Sequence, residues 1–142
     1  MTPTFSHKSD DTSEKKRVMS EDTSSAIRCL LRANVLSGSA TSANLQDYSV
    51  GGAISVSEKI RDGHYVPGKY VVSFIGMAPA QKPEYIYMTL LDEPHSNLQD
   101  DGRHSVIQKS AVLAAQIISD TASAIRLPRK NAYEDENTCR TD

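Results

Sequence analysis

Hydrophobic and polar positions alternate along the chain with two different periods, and the changes of period mark out its elements. Ser20 followed by Glu21 and Asp22 reads as a helix start: a hydroxyl caps the first turn, and acids suit the positive end of the helix dipole. Ile27, Leu30, Leu31, Asn34 and Val35 follow at helical spacing, and Gly38 supplies the stop. Arg28 and Arg32 read as the solvated face of this helix. Cys29, beside the Ile27–Leu30 stripe, reads as a small buried hydrophobe. Three strand-like runs come next: Tyr48 to Ser57, Tyr70 to Met77 and Tyr85 to Leu91, the last two rich in β-branched and aromatic residues. Asp62-Gly63 marks a turn within a longer polar excursion between the first and second runs. The connector Ala78 to Pro83, with proline near both ends, predicts a tight reversal between antiparallel neighbours. From Ser105 to Ile125 the pattern Ile107, Ser110, Val112–Leu113–Ala114, Ile117–Ile118, Thr121, Ile125 predicts a second amphipathic helix.

The expected architecture is therefore α+β, an antiparallel three-stranded meander flanked by two helices. Strands one and three both end as sheet edges. Strand three is apolar and uncharged, an edge that natural proteins seldom leave bare.

Composition narrows the function classes. The chain has 142 residues, 38% hydrophobic and 24% charged, with sixteen basic against eighteen acidic side chains and a net charge of -2. That balance argues against a nucleic-acid binder, which wants a basic patch or stripe. No apolar run approaches the roughly 20 residues that span a bilayer, and the N-terminus has no signal-peptide core, so as written the chain is expected to be cytoplasmic. Cys29 and Cys139 are too few and too far apart for a disulfide framework or a metal quartet. Residues 1–17 and 127–142 are polar and charged and are expected to be disordered tails around a folded unit of 18–126.

Candidate chemistry is sparse. His7, His64, His95 and His104 lack ligand spacing and read as solvated surface, so no metal or cofactor is expected. Asp92-Glu93 could pass for paired carboxylates. Adjacent strand residues point to opposite faces, however, and the pair reads better as a strand end that repels edge pairing. Lys109 and Arg126 have no phosphate-cradling glycine loop beside them.

From Asn34 to Pro94 the sequence becomes specific. Gly38-Ser-Ala-Thr41, Tyr48-Ser-Val-Gly-Gly52, Ser73-Phe-Ile-Gly-Met-Ala-Pro-Ala80, Pro83-Glu-Tyr-Ile86 and Leu91-Asp-Glu-Pro94 stand in order. Together they closely resemble the C-terminal part of the penicillin-binding transpeptidase domain, more narrowly class B enzymes of the septal cell-division (FtsI) type. The likeness covers roughly residues 17–125 and is best over 34–94. It implies a partial penicillin-binding/serine β-lactamase-like transpeptidase fold. The activity it implies is cross-linking of peptidoglycan stem peptides by acyl transfer through a serine acyl-enzyme, inhibited by β-lactams and needing no cofactor. Such enzymes act at the cell membrane facing the periplasm.

The family's three motifs are Ser-x-x-Lys, Ser-x-Asn and Lys-Thr-Gly. The third belongs directly after the Gly-Gly pair, where this chain has Ala53, Ile54 and Ser55. In the family the Lys and Thr grip the substrate carboxylate and the Gly clears room along the strand; Ala53 has no charge, Ile54 no hydroxyl, and Ser55 adds a side chain. Ser13-Glu-Lys-Lys16 matches the first motif as text but sits in a polar tail, away from a helix that could desolvate its lysine. Ser42-Ala-Asn44 matches the second but precedes the Gly-Gly pair, where a turn is expected. No catalytic residue and no confident substrate-binding residue is assigned. The resemblance then implies a truncated, degenerate relative of a D,D-transpeptidase, leaning to inactive by itself. The alternative is a non-catalytic interaction module that docks through strand 85–91, as a homodimer or on a full-length relative.

Overall fold

A computed structural model of the chain describes residues 17–95 and 103–130, the side chains of 103–105 excepted. In chain order these form helix α1 (Glu21–Ser37), a 3-10 turn at Thr41–Ala43, strands β1 (Gly51–Arg61), β2 (His64–Ala78) and β3 (Tyr85–Asp92), and helix α2 (Arg103–Thr121). The sheet is antiparallel in the order β1-β2-β3, so the expected α+β meander is present. The Ser20 hydroxyl accepts from the Thr23 N–H at 3.1 Å and the Gly38 N–H closes on the Asn34 carbonyl, so α1 begins and ends where its sequence signals lie.

The β1–β2 connection differs from expectation. Both strands continue out to Arg61 and His64, and Asp62-Gly63 is the whole turn. Asp62 (φ 52°) and Gly63 (φ 80°) both lie in the left-handed region, which a two-residue hairpin turn matched to strand twist requires. The supposed polar excursion is thus a pair of exposed strand arms, with one irregularity in register between Glu58 and Ile60.

One sheet face carries Val72, Phe74 and Ala78, with Ile54 and Tyr87 packed beside them. Helix α2 covers that face with small residues, Ser110, Ala111 and Ala114, which allow close approach, and with Ile118, and Ala122 follows just after the helix. The Thr89 hydroxyl donates to the Ser110 carbonyl at 2.8 Å and fixes helix against strand. Val35 of α1 and Ala40, Ala43 and Val50 close the same core from one end.

Expectations about the end of α2, the segment after it and the helix's buried face need correction. Helix α2 stops at Thr121 rather than Ile125, because a turn ending at Arg126 (φ 55°) reverses the chain. Leu127 then enters the core at 6% exposure and the Lys130 N–H donates to the Asp47 carbonyl, so 127–130 pack on the fold rather than trail from it. Conversely Val112, Leu113 and Ile117, expected on the buried stripe, are 54%, 38% and 42% exposed. The helix turns its smallest residues inward. Residues 1–16 and 131–142, expected as tails, lie outside the described residues.

Candidate functional site

The site nominated by sequence lies on β1, immediately after Gly51-Gly52. A Cβ on Gly52 would sit 2.6 Å from the Ile75 carbonyl oxygen and against the Phe74 ring, so only glycine lets β1 pass β2 here. Phe74 stacks on Tyr87 with centroids 5.9 Å apart, and the Tyr87 ring covers Gly76, the residue opposite Gly52.

Helix α1 holds the start of the strand. Arg32 donates from Nη1 to the Val50 carbonyl at 2.8 Å and reaches Asn44 Oδ1 at 3.5 Å. Asn34 donates from Nδ2 to the Gly52 carbonyl at 2.9 Å, its own Oδ1 accepting from the Ser39 N–H. The carbonyl just before β1 and an outward carbonyl within it are thereby satisfied from one helix. Arg32 is 1% exposed, which overturns its assignment to a solvated face. It stands three residues before Val35 and shares that buried stripe; residue class hid what the spacing contained. Arg28, half-buried, bonds Ser24 one turn back. Cys29 is half-buried too.

Ala53 and Ser55 stand exposed on the sheet face away from α2, while Ile54 packs half-buried against the core. By the alternation of an antiparallel ladder, Ile54 and Val56 turn their backbone N–H and C=O groups the same way as Val50 and Gly52, toward the side where β1 has no strand neighbour. The strand edge can take an extended backbone. At Ala53, Ile54 and Ser55 the side chains bring neither a charge to hold a carboxylate nor a base beside a nucleophile.

The remaining candidates separate. Ser42-Ala-Asn44 lies in the 3-10 turn and at its end, with the Asn44 amide facing Arg32. Ser13 and Lys16 lie outside the described residues, as do His7 and the side chain of His104. His64 and His95 are exposed, and Lys109 donates to the His95 carbonyl. Among the described residues no group of three or more His, Cys, Asp or Glu side chains stands close enough to hold a metal ion. None of their helices is long and apolar enough to cross a membrane.

Asp92 and Glu93 do converge, against the opposite-faces expectation. Glu93 has φ 49° and leaves the strand, so both carboxylates reach Lys59, each at 2.9 Å, and Glu93 also takes Lys69 at 2.9 Å. The lysine partners hold the Glu93 carboxyl down to about 2, Lys69 more than Lys59, and the two carboxylates raise the Lys59 ammonium. The cluster spans β1, β2 and the end of β3, which makes it a clip rather than an acid–base pair. Sequence gave no sign of the opposite case at Tyr87. Its hydroxyl is buried without a hydrogen-bond partner among the described residues, and burial pushes the phenol upward.

Comparison with known proteins agrees with this frame. The family model of the penicillin binding protein transpeptidase domain matches residues 1–118. Stage V sporulation protein D of Bacillus subtilis is 35% identical over 121 residues, which is 84% of this chain and 18% of that protein. A peptidoglycan D,D-transpeptidase FtsI homolog of Chlorokybus atmophyticus is 31% identical over 85 residues, 59% of this chain and 12% of its own length. Among solved structures, the apo transpeptidase domain of Burkholderia pseudomallei penicillin-binding protein 3 superposes with a TM-score of 0.70 at 30% identity, over 82% of this chain and 34% of that one. The chain thus spans about a fifth or less of these two curated relatives and a third of that domain.

Proposed function

The chain belongs to the penicillin-binding protein transpeptidase family, of FtsI type, and from that premise we propose that it is a C-terminal portion of such a domain that performs no acyl transfer by itself. One observation carries the reading. On the strand after Gly51-Gly52, Ala53 and Ser55 face outward and Ile54 inward, so the place of the family's Lys-Thr-Gly motif keeps its strand and has lost its charge and hydroxyl. Each charge-assisted hydrogen bond forgone there is worth on the order of 1.5–3 kcal/mol to carboxylate binding. The substrate class of the relatives, peptidoglycan stem peptides, would then meet this chain only as part of a larger transpeptidase-like domain.

A second reading is favoured by β3, which has no strand on its outer side among the described residues: an interaction module that docks by edge pairing, to a copy of itself through 85–91 or to a full-length relative. The two readings share the absence of acylation. Incubation of the chain with a fluorescent penicillin, followed by denaturing electrophoresis, is expected to give no labelled band. A covalent band that vanishes on Ser13→Ala would overturn the proposal and place a working nucleophile in the N-terminal segment.

A further inference from the structure

Helix α2 carries apolar residues on more than one face. Ser110, Ala111, Ala114 and Ile118 meet the sheet, while Val112, Leu113 and Ile117 stand outside that contact and remain part-exposed. A helix covered on one face alone puts polar residues on the rest, so a second apolar stripe marks a second neighbour. The second stripe is regular. Lys109, Val112, Leu113, Gln116, Ile117 and Asp120 follow one another at the three-and-four spacing of a single helix face. A groove of about 500 Å³ runs along it between Gln108, Lys109, Val112, Leu113 and Gln116. The two ends of the stripe carry opposite charges. Lys109 donates to the neutral His95 carbonyl, and Asp120 accepts from the neutral Gln116 amide at 3.1 Å, so neither contact cancels a charge.

We propose that this outer face of α2 binds the same face of a second copy, the two helices running antiparallel. The order of charges along the stripe selects that occupant. With the two-fold axis between Ala114 and Ala115, Lys109 comes level with the partner's Asp120, and Leu113 with the partner's Gln116. Both ion pairs form at once, one at each end, and Val112 and Ile117 flank the centre on both helices. A parallel pair would instead set Lys109 against the partner's Lys109, and like charges repel. Any occupant must present an acid, an apolar centre and a base in reverse order; a second copy does so by symmetry. One helix contact is small against the roughly 1,200 Å² of a stable interface, so the dimer should dissociate on dilution. It engages a different element from the β3 edge, and it does not depend on how the strand after Gly51-Gly52 is read.

The test is sedimentation equilibrium of the full 142-residue chain over a concentration series, with circular dichroism on each variant to show that it is folded. Leu113→Asp should raise the dimer dissociation constant about tenfold or more, because it carries an unpaired charge into the contact. Lys109→Asp and Asp120→Lys should each raise it about threefold to tenfold by setting like charges level. The double variant, Lys109→Asp with Asp120→Lys, re-forms both pairs in the opposite sense and should return the constant to within about threefold of wild type. Ile60→Asp, on the exposed hairpin arm, should leave it unchanged. A double variant no tighter than either single one overturns the proposal. So does a wild-type monomer throughout the series. So does association that Met88→Pro abolishes and Leu113→Asp leaves intact, which puts the whole contact at β3.

Discussion

Arg32 shows what a single buried charge is doing in this fold. Its guanidinium serves the Val50 carbonyl at the point where β1 begins, and the fold closes over it. Arg32→Leu should keep the packing and orphan a buried carbonyl, lowering stability by about 1–3 kcal/mol in a urea titration. Arg28→Ala, which loses a bond to Ser24 on the same helix, should cost less than about 0.5 kcal/mol. Tyr87 offers the reverse experiment. Its hydroxyl is buried against Gly76 without a partner among the described residues, so Tyr87→Phe keeps the ring stack on Phe74 and removes the desolvated group. Stability should rise by about 1 kcal/mol, read as a higher urea midpoint with unchanged slope.

At the level of elements, the sheet is pinned at one end by α1 on Val50 and Gly52 and at the other by the lysine–carboxylate clip. Glu93 sits where β3 ends, its N–H donating to the Tyr70 carbonyl and its carboxylate drawing Lys59 of β1 and Lys69 of β2 together. Its folded pKa of about 2 lies below the ordinary 4.5. The unfolded chain therefore takes up the proton first as pH falls. The stabilisation from Glu93 is whole above pH 4.5 and drains away between 4.5 and 2. Glu93→Gln should lower the thermal midpoint at pH 7 and flatten its fall across that interval, and added salt should shrink the difference between the two proteins. Equal slopes for both proteins in a pH series of melting curves would show that the clip does not act.

For the whole molecule, the governing fact is a sheet whose β3 edge has no strand neighbour among the described residues. The core is closed on the α2 side, while the opposite face and the β3 edge present apolar and unpaired groups together among the described residues. The isolated chain should associate as concentration rises, as a dimer or a soluble aggregate with β3 at the contact. Met88→Pro removes a strand donor and strains β3, so light scattering should show a smaller mean mass than wild type at equal concentration. A mutant that associates as strongly as wild type would shift the contact away from β3.

Elements and family were legible in the sequence because both rest on local signals. Ser20, the acids after it and Gly38 bound α1; β-branched runs and the Ala78–Pro83 turn mark β3 and the end of β2; the Gly-Gly pair and its flanking blocks carry the family likeness, and each of these depends on neighbours a few residues apart. That Ala53 to Ser55 lie on a strand directly after the Gly-Gly pair was legible for the same reason. What needed the tertiary structure was every decision about which surface meets which. Arg32 lies inside because α1 crosses the start of β1, where a carbonyl needs a donor. Asp92 and Glu93 meet because a left-handed residue turns the second carboxylate back toward lysines on two other strands. Leu113 and Ile117 stay part-exposed because α2 turns Val106, Ser110, Ala111, Ala114 and Ile118 onto a sheet that, among the described residues, ends at β3. Periodicity marks a face as apolar; only the packed fold decides which apolar face the chain itself covers.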